Sequence, residues 1–264
     1  MKQIITILAL MSSLMAVDFT TRYDVEIGMF GKVGTADISL EDNDNSYEIK
    51  LRAKLIGTAA KLTGNRVESY ISKGKIIDGV YIPDTFTKSM TSDDESEELV
   101  YHFDHNLKTV SLDKSTVETI KGTKFDTRTF KIVSTEEIKK SNTSEVLEEY
   151  IAVDILSSYL NTRESSAKAQ KDYNLVAIGA RNDRNNITVS FLDTLKKEEV
   201  KDSFSKDIGN IYNMNVKPLD EDNEIVNVLI AFDNDGLMKE AVLGDAFWIG
   251  EIRAKRVYVD VASR

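Results

Sequence analysis

The chain has 264 residues with 34 basic and 44 acidic side chains, a formal net charge of −10 and no cysteine. So acidic a surface repels phosphate backbones and anionic headgroups, which sets nucleic acid aside as a partner. The missing cysteine excludes disulfides, thiolate metal sites, a cysteine nucleophile and a lipidated cysteine together, so stability has to come from a hydrophobic core.

Met1-Lys2-Gln3 precede an apolar run from Ile4 to Met11, which gives way to Ser12-Ser13-Leu14-Met15-Ala16. A charged start, a short apolar stretch and a small final residue are the parts of a secretory signal. A membrane-spanning helix needs about 20 apolar residues, and here polarity returns at Asp18. The sequence therefore predicts a signal peptide over 1–16, cleavage between Ala16 and Val17, and an exported chain 17–264 without a transmembrane segment.

From Tyr23 the pattern alternates: Tyr23, Val25 and Ile27 share a face, then Ala36, Ile38 and Leu40, then Tyr47, Ile49, Leu51 and Ala53. A period of two is the mark of a strand with one buried face. The polar Glu41 to Ser46 between the second and third runs reads as a hairpin turn. Further strands are predicted over 86–90, 99–103, 109–112, 125–133, 173–179, 187–192, 211–216, 225–232 and 246–259. Turns fall at His105-Asn106 and at Asp233-Asn234-Asp235-Gly236. Between Thr143 and Arg163 the apolar spacing turns helical, and Asp154 with Ser157 in the first turn forms a capping signal. The predicted fold is one mainly-β domain: a curved antiparallel sheet, half-barrel or sandwich with one or two short helices.

Chemistry-bearing motifs are sparse. His102 and His105 flank a predicted hairpin end and fall short of the three ligands of a catalytic zinc. Asp42, Asp44 and Ser46, and separately Asp233 and Asp235, resemble pieces of a calcium loop but lack its glycine at position six and glutamate at position twelve. Gly28, Gly31 and Gly34 lie between two strands, not before the helix that phosphate binding requires. The sequence is read as non-enzymatic, with no catalytic residue, metal or cofactor. Leu55, Leu62, Tyr101, Phe103, Ile155, Tyr159, Leu160, Phe191 and Trp248 are the apolar candidates for a cavity or its lid. The same pattern describes a packed core.

Several short motifs resemble the bacterial exported proteins of domain-of-unknown-function family 3108. They are Tyr23-Asp24-Val25, Gly28 to Gly34 with Ala36, Leu51-Arg52-Ala53-Lys54 with Gly57, Asp78-Gly79 and Pro83. Later in the chain come Asp154-Ile155-Leu156-Ser157 with Tyr159 and Arg163, Asp235 to Lys239, and Ile249-Gly250-Glu251-Ile252. The resemblance implies a periplasmic protein with a β architecture like that of lipoprotein carriers, where a curved sheet and a helical lid enclose an apolar cavity. The chain departs from the family pattern at Ile155, where many relatives place proline. Two functions follow: a carrier of an apolar or lipid-like envelope component, or a structural or interaction protein joined to an envelope protein complex.

Overall fold

The structure is a computed structural model that describes residues 17–43, 45–163, 167–179, 184–205, 209–218, 225–244 and 250–263. Ala16 and Trp248 lie outside these residues. The first eight strands are β1 (Val17–Ile27), β2 (Gly31–Asp42), β3 (Ser46–Leu55), β4 (Val67–Ile77), β5 (Val80–Thr91), β6 (Glu95–Asp104), β7 (Thr109–Asp126) and β8 (Lys131–Val146). Six more follow: β9 (Tyr173–Ala177), β10 (Asn185–Phe191), β11 (Asn210–Pro218), β12 (Val226–Phe232), β13 (Met238–Leu243) and β14 (Ile252–Ser263). Among the described residues three short α-helices accompany them: α1 (Gly57–Leu62), α2 (Ile155–Thr162) and α3 (Thr194–Val200).

All fourteen strands form a single sheet in the order β8-β7-β6-β5-β4-β3-β2-β1-β14-β13-β12-β11-β10-β9. Two antiparallel meanders are thus joined where β1 pairs with β14. The connection from β8 to β9 must travel from one edge of the sheet to the other, and it carries α2 across the inner face. Gly179, just past β9, shows how far the sheet rolls. A Cβ on it would lie 2.1 Å from Cε1 of Phe86 on β5, a strand far away in sheet order, so the β9 edge folds back over the inner face of β5. The roll stays open, because β8 and β9 do not pair with each other.

Register explains the core. Phe19, Leu40, Ile49, Ser72, Phe86, Tyr101 and Leu112 are successive cross-strand neighbours from β1 to β7, and every one is buried. Each such apolar side chain contributes roughly 1.5–3 kcal/mol of burial. The single polar member, Ser72, faces the helix. Its Oγ donates to Asp154 Oδ2 at 2.6 Å and lies 3.0 Å from Tyr47 Oη. Asp154 in turn caps α2, accepting from the amides of Leu156 and Ser157 at 2.7 and 3.0 Å, and Ser157 Oγ returns the bond to the Asp154 amide at 3.1 Å. This reciprocal arrangement is a capping box.

The other end of α2 is fixed as firmly. Asn161 accepts from the Tyr81 amide at 2.9 Å and donates to the Tyr81 carbonyl at 3.0 Å, imitating a neighbouring strand. Arg163 stacks its guanidinium 5.5 Å from the Phe19 ring centroid. Gly236 of the Asp233–Gly236 turn packs so close that a Cβ there would lie 2.6 Å from Arg163 Cγ. Helix α2 is therefore a plug between two inner clusters. One is built on β1–β7 with Leu156 and Leu160, the other on β9–β13 with Ile155 and Tyr159 packed against it. On the outer face α3 flanks a third cluster of Leu192, Phe204, Ile211, Ala231 and Val242.

Three details of the sequence reading change. The strand expected over 125–133 straddles a turn, since β7 ends at Asp126 and β8 starts at Lys131; Phe125 and Phe130 instead meet edge-to-face at 6.2 Å across that turn. The helical segment expected from Thr143 starts only at Ile155, because Thr143 to Val146 still pair with β7. Among the described residues the short α-helices number three, where one or two were expected.

Candidate functional site

Beyond the core row the inner face runs toward one end of the strands, and there its side chains become small. Leu55, Gly34, Val25, Ala254 and Ala241 are consecutive cross-strand neighbours from β3 to β13, with Ala36 and Ala53 paired in the row beside them. At about 4.8 Å per strand, the first row is about 19 Å long. On its outer side Ile27, Ile252, Leu243, Val228 and Met214 form a parallel apolar row. These flanking residues are half-buried. Small residues flanked by larger apolar ones make a trough. Gly34 is needed for its depth, because a Cβ there would lie 2.7 Å from the Lys54 carbonyl oxygen.

At the β3 end the trough deepens into a cavity of about 400 Å³ bordered by Val25, Gly34, Ala53, Leu55, Thr63, Arg66 and Glu68. Its rim is polar and internally organised. Glu68 Oε1 accepts from Arg66 Nε at 2.8 Å and pairs with Nη2 at 2.7 Å, while Oε2 accepts from Tyr70 Oη at 2.8 Å. Burial and then the neighbouring Glu68 carboxylate push the Tyr70 hydroxyl up from its ordinary value, which keeps it a donor. The Arg66 side chain is 49% exposed, so a cation stands beside an apolar trough. The cavity thus joins an apolar floor to a polar, ion-paired rim.

Of the residues singled out from sequence, Leu55 borders this cavity. Leu62 is 83% exposed on α1. Tyr101, Phe103 and Leu160 belong to the inner core, and Ile155, Tyr159 and Phe191 pack against its clusters. Of the residues that shape the trough, Ala53 closes an alternating run, whereas Gly34, Ala241 and Ala254 are too small to register as apolar signals. Only strand register brings them together.

The other candidates resolve into structure. His105 is held by both ring nitrogens: Nε2 donates to the Pro83 carbonyl at 2.6 Å, and Nδ1 lies 2.6 Å from Tyr150 Oη. His102 pairs with Asp113 at 3.3 Å on the surface. Asp42 accepts from Tyr81 Oη at 3.1 Å. Asp233 Oδ1 accepts from the Asp235 and Leu237 amides, as a turn residue does, and Oδ2 pairs with Arg256 at 2.8 Å. Among the described residues no group of three or more His, Cys, Asp or Glu side chains is placed to hold a metal. No helix among them is long and apolar enough to cross a membrane. A second cavity of about 390 Å³ lies on the outer face beside α3, between Leu192, Val200, Leu229 and Val242.

The fold and the trough define an open, rolled antiparallel β-sheet protein with a helical plug and an amphipathic cleft at one end of its inner face. Residues 22–135 match the family model described as "Protein of unknown function (DUF3108)", the family its motifs resemble. The motifs from Tyr23 to Pro83 fall inside the matched stretch; those at Asp154, Asp235 and Ile249 fall outside it. A solved structure described as "Crystal Structure of Beta-barrel-like Protein of Domain of Unknown Function DUF1849 from Brucella abortus" is similar at 12% identity and a TM-score of 0.46, covering 95% of this chain and 100% of that one. No curated protein matches the chain.

Proposed function

We propose that this protein is an exported, non-catalytic binding protein for a lipid-like amphiphile of the cell envelope, held in the cleft that ends at Leu55 and Arg66. One observation carries the reading: strand register aligns Leu55, Gly34, Val25, Ala254 and Ala241 as a small-residue apolar row leading to the half-exposed Arg66. The remainder of the inner face is packed around α2, so cargo would lie along one end of the roll, not at its centre. The leader-like residues 1–16 support a periplasmic location.

The test is native mass spectrometry of protein recovered from a periplasmic extract, followed by solvent extraction and titration with a fluorescent long-chain fatty acid. The reading expects a stoichiometric apolar adduct, saturable fatty-acid binding, and an intact mass that starts at Val17. A chain that carries no adduct and binds no fatty acid overturns the cargo reading, and retention of residues 1–16 overturns the export reading.

A further inference from the structure

We propose that two copies of the protein pair edge to edge through β8, antiparallel about Ile138, to make one continuous sheet. Strand β8 is the terminal strand of the sheet, and all sixteen of its residues are exposed. A free edge presents a ladder of unpaired amides and carbonyls, and proteins that must avoid pairing blunt such an edge by shortness, charged side chains, proline, a bulge or covering chain. The opposite edge is blunted: β9 has five residues, and the residue after it, Ile178, bonds to Val153 and Ile155 of the strap. Of these devices strand β8 has only charged side chains. It contains no proline, and it pairs with β7 over its whole length without a bulge.

Its charges fit the same purpose. Strand β8 carries Lys131, Glu136, Glu137, Lys139, Lys140 and Glu145. With Ile138 opposite Ile138 of a second copy, Glu137 faces Lys139, Glu136 faces Lys140 and Lys131 faces Glu145. Every charge on the strand then opposes one of unlike sign, in both halves of the dimer. Opposite charges in directly paired positions stabilise a sheet, and like charges destabilise it. Moving the centre by one residue sets Glu137 or Lys139 against its own copy, so the charge order also fixes the register. The backbone agrees. In this register paired residues are an even number apart, so a residue whose N–H and C=O point away from β7 in one copy meets one of the same kind in the other, each N–H facing a C=O. The apolar residues follow suit: Ile138, 64% exposed, sits on the two-fold axis, and Val146 comes beside Phe130 at either end.

Sedimentation velocity of the purified protein across a concentration series tests the pairing, with a species of twice the monomer mass expected. E136K/E137K and K139E/K140E are each expected to sediment as monomers. Their equimolar mixture should return to the dimer, because every facing pair is then again of unlike sign. Glu136 and Lys139 also face Lys121 and Glu118 of β7 within the chain, so recovery on mixing separates lost pairing from a damaged hairpin. A milder probe uses the absence of native cysteine. Ile138→Cys should cross-link rapidly on mild oxidation, since its two copies meet within disulfide reach on the axis, while Thr135→Cys should not. A wild-type chain that stays monomeric throughout the series, a mixture that stays monomeric, or equal cross-linking at the two positions overturns the proposal.

Discussion

Ser72 Oγ donates a 2.6 Å hydrogen bond to Asp154 Oδ2, joining β4 to the cap of the plug helix across 82 positions of sequence. The bond fixes where the strap crosses the sheet, and it makes Asp154 a fully buried acid. Asp154→Ala removes the acceptor for two helix amides and for Ser72 together and should cost about 2–3 kcal/mol in chemical denaturation. Ser72→Ala, which strands one carboxylate oxygen and the Tyr47 hydroxyl, should cost about 1–3 kcal/mol.

The same acid gives a pH dependence. Burial pushes the Asp154 carboxyl above its ordinary value of 3.8, outweighing the bonds from Ser72, Ser157 and Leu156. With the folded value above the unfolded one, the native state holds the proton longer. The Asp154 contribution is therefore full below the unfolded value and declines as pH rises through the folded one. Denaturant midpoints measured upward from about pH 4 should fall less steeply for Asp154→Asn than for the wild type.

Gly179→Ala should be destabilising by about 2 kcal/mol or more, since its Cβ would enter the Phe86 ring and its φ of +90° disfavours any side chain. Adding Phe86→Leu should recover part of that loss, the steric part, while the backbone part remains. A double-mutant cycle in thermal unfolding measures the split.

The two histidines should behave differently despite lying three residues apart. His105→Ala removes partners from Pro83 and Tyr150 and should cost about 1–3 kcal/mol. His102→Ala on the surface should stay within about 0.5 kcal/mol of the wild type.

Within the cleft, Ala254→Phe should fill the trough and weaken fatty-acid binding at least tenfold with little change in melting temperature. Leu62→Ser, on an exposed helix position, should leave binding unchanged.

Much of the sheet was legible because one-sided burial writes a period of two into β1, β2, β3 and β6, while β12, covered on both faces, shows as a continuous apolar run. The Asp154–Ser157 cap was equally clear, since a capping box is local. The length of the β7–β8 hairpin was not. Its outer half buries neither face, so Thr119–Asp126 and Lys131–Ile138 show no alternation and their register rests on backbone bonds alone. The cleft was hidden for another reason: Gly34, Ala53, Ala241 and Ala254 come from distant strands, and a site built of missing bulk leaves no apolar peak in any window. Val25 and Ala53 stood out only as strand residues, and Leu55 alone stood out as a cavity candidate.

Strand order gives the sheet a seam. If the chain were read from β9, passing from β14 to β1, it would be an uninterrupted fourteen-strand meander. The actual chain instead joins that seam between its first and last described strands, where Val17 meets Ser263. Until β14 is in place, the β1 edge that includes Phe19 and Tyr23 is an open template for pairing. Closing it spans nearly the whole chain, a contact of the longest sequence separation and the slowest kind to form. The refolding rate of this protein should therefore be set at the β1–β14 seam, and mutations there should slow folding more than equal losses of stability in the β2–β6 meander.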